Sequence, residues 1–176
     1  MKDKREVIDH YKQSIEFAMF LKDIDNITWR AQIDKGKWTI AEVLGHLIPW
    51  DEFVIHKRVP YFMQNSIFPK GPNVEEMNKS SALNARKNSQ TQTINAFVQG
   101  RRELINAISS ISSDMWSKEI VIGTSKLILS DYFTGLAKHD LHHFNQIYIV
   151  LNERKKYIEK MEDFPELKKR NKYGNS

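Results

Sequence analysis

Six histidines and no cysteine set the chemistry open to this 176-residue chain. Without thiols there are no disulfides, thiolate zinc sites, iron–sulfur clusters or cysteine nucleophile. A transition metal would have to be held by nitrogen and oxygen ligands. His139 and His143 sit four apart in the run His139-Asp140-Leu141-His142-His143. On a helix this spacing stacks two imidazoles one turn apart on one face, close enough to share a metal. Leu136, His139, His143, Ile147 and Val150 step by 3, 4, 4 and 3, an apolar stripe that turns the pair into the protein. His142 falls with Lys138 and Asn145 on a more polar face. Inward imidazoles need partners. A metal would satisfy both, and so would two buried hydrogen bonds.

His46 bears on that choice. Val43 precedes it by three, Trp50 follows by four and Phe53 by seven, so it too occupies an inward stripe. One histidine from this helix and two from the last would give three nitrogens with an open coordination position, the catalytic arrangement. The competing reading of His46 is a core imidazole bonded to a backbone carbonyl. Gln146, three after His143, either lines a pocket on the same side or makes a plain bundle hydrogen bond. Asp140 points elsewhere on its helix and reads as a surface or helix-contact acid. His10 aligns with Val7, Ser14, Phe17 and Leu21, at the core or its edge, and His56 beside Lys57 and Arg58 faces solvent. Trp50 and Phe53 read as core packing rather than pocket wall.

Four long amphipathic helices would position these residues. The first covers about 3–23, with Asp3 and Glu6 spaced as a capping pair. The second opens at Thr39-Ile40-Ala41-Glu42, a capping box stapled by Trp38 and Val43, with Pro49 as an internal kink and Pro60 as a kink or stop. After the loop Phe68-Pro69-Lys70-Gly71-Pro72, Asn73 and Glu76 open a short helix over about 73–85. Ser89 and Gln92 cap the third long helix. Residues 119–129 read as a small hairpin or extended crossing segment. Ser130 is the expected cap of the last helix, which runs to about Arg154. Four such helices in one chain suggest an all-α bundle.

Composition narrows the partners. Gly (7) and Pro (5) are too few for a turn-rich β fold. No apolar run spans a bilayer and the N-terminus lacks a signal-peptide core, so a cytoplasmic location is the default. Of the net charge of +5, residues 152–176 supply +3, from eight Lys/Arg and five Asp/Glu. The excess is a tail rather than a groove-forming patch, which argues against a nucleic-acid partner.

The segments Trp38-Thr39-Ile40-Ala41-Glu42-Val43-Leu44-Gly45-His46-Leu47 and His139-Asp140-Leu141-His142-His143-Phe144-Asn145-Gln146, in that order, resemble the DinB/YfiT-like superfamily over roughly residues 3–155. The resemblance implies a four-helix bundle of up-down-down-up order, with the short helix and the extended segment in its crossovers, and a basic tail or short helix at 156–176. It also implies a divalent metal, nickel or zinc, held by His46, His139 and His143. Phe144-Asn145 stands where many members carry Arg-Gly. Members include transferases of low-molecular-weight thiols, thiol-dependent isomerases and metal-dependent hydrolases. The expected function is thus a metal-dependent enzyme acting on a small molecule, by thiol transfer to an electrophile or by hydrolysis, as a homodimer. Because the chain has no cysteine, any thiol must come from a cosubstrate. The alternative is a non-catalytic metal-containing protein that binds or sequesters a small molecule.

Overall fold

The first three long helices each begin where a side chain satisfies free N–H groups of the first turn. The computed structural model describes residues 3–64, 67–154 and Phe164. Helix α1 (Lys4–Phe20) is capped by Asp3, runs into a 3-10 turn at Leu21–Asp23, and is followed by the short α2 (Asn26–Trp29). Thr39 and Glu42 form the expected capping box of α3 (Ile40–Lys57). The helix continues through Pro49 to Lys57, and Pro60 lies in the first turn of the next helix, α4 (Val59–Gln64), where a missing N–H is tolerated. Asn73 caps α5 (Val74–Lys87), and the box of Ser89 and Gln92 opens α6 (Gln90–Ser109). A single turn, α7 (Ser113–Trp116), leads to a hairpin of β1 (Glu119–Ile122) and β2 (Ser125–Ile128). Ile122 pairs with Ser125, leaving a two-residue turn in which Gly123 adopts φ +63°, a conformation that favours glycine.

The last helix, α8 (Leu129–Glu153), departs from its expected start. Ser130 lies inside it, and the N-cap is Ile128, which makes no side-chain capping bond. Strand β2 runs directly into the helix, and the Leu129 N–H is satisfied by the Lys118 carbonyl at 2.9 Å. The hairpin backbone replaces the side-chain cap. The tail at 156–176 lies outside the described residues except for Phe164, whose ring meets Phe17 edge-on at 5.3 Å.

Contacts along the helices fix their directions. Lys4 at the start of α1 donates to the Ser109 carbonyl at the end of α6 (2.8 Å), so these two are antiparallel. Phe17 and Phe144, late in α1 and α8, meet at 5.2 Å, so those helices are parallel. Gly45 lies beside Thr93 and Asp51 beside Arg101, so α3 runs with α6. The bundle is therefore up-down-down-up in chain order. Helix α5 packs along α3, where a Cβ on Gly45 would come within 2.7 Å of the Ala85 Cβ. The Glu42 carboxylate pins this pair through Arg86 Nη2 at 2.6 Å.

The core has two apolar halves. One surrounds Phe17, Trp29, Leu44, Phe97 and Leu151. The other surrounds Val7, Val54, Leu104, Phe133 and Trp116, whose ring stacks on Phe133 at 5.3 Å, and it is closed by the hairpin. At the level of His10, Asp51, Arg101 and Asp140 a buried charged layer joins all four long helices. No helix among the described residues is long and apolar enough to cross a membrane.

Candidate metal centre

His46 is held by its own helix. Its ring Nδ1 lies 2.5 Å from the Val43 carbonyl, three residues back. The carbonyl can only accept, so Nδ1 carries the proton and Nε2 keeps its lone pair. That Nε2 is buried and has no hydrogen-bond partner. Trp38, expected only as a staple, also packs its indole against this ring at 4.9 Å between centroids. The carbonyl-bonded core imidazole is thus correct for one nitrogen and leaves the other without a partner.

The unpartnered nitrogen faces α8. The His46 ring lies 4.3 Å from the His143 ring and 5.7 Å from the His139 ring, centroid to centroid. One ligand nitrogen from each of the three lies within 4.8 Å of the others. His143 Nδ1 is fixed by Gln146 Oε1 at 2.9 Å, and its Nε2 lies 3.2 Å from His139 Nε2. The His143 ring thus turns Nε2 toward its neighbours, as a metal-ligating imidazole oriented by a second hydrogen bond would. Gln146 therefore contacts the site through His143.

Electrostatics keep the rings neutral. Burial, reinforced by the nearby His143, drops the His46 pKa to about 3. Burial lowers His143 to about 4 against the pull of Gln146. His139 is also lowered, first by burial. Neutral imidazoles with converging lone pairs are what a divalent ion needs. An orphaned buried Nε2 in a three-nitrogen set fits such an ion without adjustment of residue types.

The burial of the three is graded: His46 is buried, His143 intermediate and His139 exposed. The pair on α8 therefore stands at the rim of the seam between α3 and α8 and not in the core. The most buried stripe of α8 is Phe133, Ala137, Asp140, Phe144, Ile147 and Leu151; of the expected stripe Ile147 and Val150 are buried, Leu136 is half-buried, and His139 and His143 lie at its edge. His142 and His56 are exposed, as expected. Trp50 lines the concavity beside His139 and donates from Nε1 to Asn78 Oδ1 at 3.1 Å.

Asp140, expected at the surface or in a helix contact, takes the helix contact. It is 4% exposed and pairs with Arg101 Nη1 and, at 3.1 Å, with Nη2. His10 Nε2 lies 3.2 Å from its Oδ2, so His10 donates to a buried carboxylate. Arg101 also lies 2.7 Å from Asp51 and sits over the rings of Tyr11 and Phe97 at 4.9 and 4.7 Å. Burial alone would raise Asp140, but Arg101 and His10 hold it below the ordinary carboxylate range. Burial, with the charge of Asp140 added, pushes Asp51 upward against the pull of Arg101. A signal existed: Arg101 lies on the stripe Phe97, Leu104, Ile108, and Asp51 on the stripe Leu47, Val54. Opposite charges on facing apolar stripes mark a buried pair.

The fold has solved counterparts. The structure resembles YfiT from Bacillus subtilis, described as a probable metal-dependent hydrolase with an unusual four-helix bundle topology, at a TM-score of 0.70 and 11% identity over 88% of this chain and 89% of that one. It also resembles the mycothiol-dependent maleylpyruvate isomerase at a TM-score of 0.61 and 14% identity over 80% of this chain. Only 59% of the isomerase is spanned, so this chain covers about three-fifths of its length. At these identities the likeness is one of fold. No curated protein matches the sequence significantly. The sequence profile of the DinB superfamily, however, matches residues 14–147. The chain belongs to the DinB superfamily.

Proposed function

We propose that this protein is a metal-dependent enzyme acting on a small molecule, with His46, His139 and His143 holding one divalent ion. The observation that carries the reading is the buried, unpartnered Nε2 of His46 facing two further imidazoles whose ligand nitrogens lie within 4.8 Å. Zinc or nickel suits three neutral imidazoles. Such an ion supplies Lewis acidity, lowering the pKa of a water or thiol so that a nucleophile exists near neutral pH. His46 provides the fixed inner nitrogen, and His143 is oriented by Gln146. His139, the exposed member, borders the opening through which substrate arrives.

We infer two candidate reaction classes: thiol transfer to an electrophile, in keeping with the thiol dependence of the mycothiol-dependent isomerase, and hydrolysis, in keeping with the description of YfiT. The absence of cysteine requires the first to use an external low-molecular-weight thiol. A cytoplasmic location, where such thiols stay reduced, and a homodimeric state complete the proposal. We place the domain boundary near residue 155, with the basic tail beyond it. The test is to load the chelator-treated protein with zinc or nickel and supply bacillithiol with monochlorobimane, or a nitrophenyl ester without thiol. Metal-dependent turnover in either assay supports the proposal. Turnover unchanged by chelation, or failure to bind any divalent ion, overturns it. Metal binding without turnover of any thiol or ester would favour the binding-and-sequestering alternative.

A further inference from the structure

The concavity beside His139, of about 260 Å³, adjoins the candidate metal centre. Leu47, Trp50, Val54 and Leu136 give it apolar walls. An apolar cavity of about 150 Å³ holds benzene, so this one has room for a six-membered ring with a short substituent.

The remaining lining is acidic. Asp51, Asp140 and Tyr11 border the space, and neither Arg101 nor His10 does. Arg101 is 1% exposed and committed to the two carboxylates. His10 is 4% exposed and donates to Asp140 Oδ2, the oxygen that Arg101 Nη1 also contacts. Two carboxylates thus share one guanidinium. Asp51 is the less satisfied of them. Among the described residues its ion pair is to Arg101 Nε at 2.7 Å, whereas Asp140 meets Arg101 twice and His10 once. A carboxylate has roughly four acceptor positions, so Asp51 retains acceptor capacity beside the cavity although it is only 5% exposed.

We propose that this cavity is a ligand subsite selecting a compact apolar group that carries a hydrogen-bond donor, an ammonium above all, and rejecting carboxylates. Asp51 is the anchoring residue. The donor adds a partner to the Asp51 carboxylate, the walls cover the hydrocarbon, and a ligand carboxylate would meet like charge. The inference rests on the proposed function only in placing the ligand's reacting end beside His139.

The test uses benzylamine, benzyl alcohol and benzoate, equal in ring size and differing in charge, titrated at pH 8.5 into the chelator-treated full chain, so that Asp51, which burial raises to about 7, is ionised. Methyl resonances of Leu47, Val54 and Leu136 report binding at the cavity. Protonated benzylamine should bind at least tenfold more tightly than benzoate, with benzyl alcohol between them. Asp51→Asn should bring the benzylamine-to-benzoate ratio close to one, and Leu136→Trp should weaken all three ligands. Benzoate binding as tightly as benzylamine, an absence of methyl shifts with every ligand, or an unchanged ratio in a folded Asp51→Asn protein overturns the proposal. The ranking in the wild-type chain needs no variant to fold. Because metal is absent from the titration, failure to bind a divalent ion would remove the proposed function and leave this ranking to be judged separately.

Discussion

Replacing Arg101 by methionine keeps the volume of a long side chain and deletes the guanidinium between two buried carboxylates. Asp140 loses both contacts to Arg101 and Asp51 loses its 2.7 Å ion pair, at positions 4% and 5% exposed. Removing one partner of a buried pair costs about 3–5 kcal/mol, because the charge left behind is uncompensated. Contacts with the Tyr11 and Phe97 rings are lost as well, each of which adds roughly 0.5–2 kcal/mol. Against a total stability of about 5–15 kcal/mol, Arg101→Met should be among the most damaging single changes in the chain. In urea, with a slope of about 2 kcal/mol per M, its midpoint should fall by roughly 2 M. The sign with pH is also fixed. Asp140 has a folded pKa below its unfolded value, so its stabilisation of the wild type is complete above about pH 4 and is lost as the pH falls further. In the variant, burial is no longer opposed by the guanidinium, both carboxyl groups titrate upward, and protonation relieves them. The deficit of the variant should therefore shrink between pH 7 and pH 5. Arg101→Met/Asp51→Leu/Asp140→Leu should recover at least half of the loss at pH 7. A deficit below about 1 kcal/mol at pH 7, or one that is equal at pH 7 and 5, would refute the description of this layer as an interdependent buried charge network.

Three further outcomes follow from the site and its supports. Three exposed imidazoles of ordinary pKa, about 6.5, would lose roughly a thousandfold in metal affinity between pH 7 and 5.5 through proton competition. With His46 near 3, His143 near 4 and His139 lowered, zinc affinity here should fall less than about tenfold over that interval, measured by competition with a chromophoric chelator. Gln146→Leu frees the His143 ring and should weaken metal binding by about 10–100-fold in the same assay while leaving the thermal midpoint nearly unchanged. Gly45→Ala gains about 1 kcal/mol of helix propensity but forces a Cβ to within 2.7 Å of Ala85; overpacking costs about 1–3 kcal/mol, so chemical denaturation should show a net loss of up to about 2 kcal/mol.

The readable parts of the chain were those governed by local chemistry. Thr39 with Glu42 and Ser89 with Gln92 announce helix starts because each box closes within one turn. The two apolar runs on either side of Gly123 allow a hairpin or an extended crossing segment, and the structure forms the hairpin. The start of α8 was misplaced at Ser130 because a hairpin carbonyl 11 residues earlier, at Lys118, does the capping, and such a partner leaves no trace in the neighbouring sequence. The expected stripe of α8 holds for Ile147 and Val150, which are buried, and differs at the histidines, where Asp140 and Phe144 take the inner positions. His139 and His143 belong to a stripe as regular as the most buried one, and an aspartate such as Asp140 is discounted as a core residue unless its counter-ion is recognised. That counter-ion sits 39 positions away on another helix. Burial of the histidines was overestimated for the same reason: the pair borders a seam, and only His46 is enclosed. The pairing of His143 with Gln146 was legible from the three-residue spacing, whereas contact between Trp38 and His46 depended on how the loop before α3 folds back.

The central claim is that three imidazoles from α3 and α8 hold one divalent ion. Isothermal titration of the full chain with zinc, beside His46→Ala at the same concentration, tests it most directly. The account predicts one ion per chain for the wild type. It predicts a loss of affinity beyond the 10–100-fold expected from disturbing a supporting residue when the inner nitrogen is removed. Absence of zinc binding by the wild type, or equal affinity in His46→Ala, would contradict it.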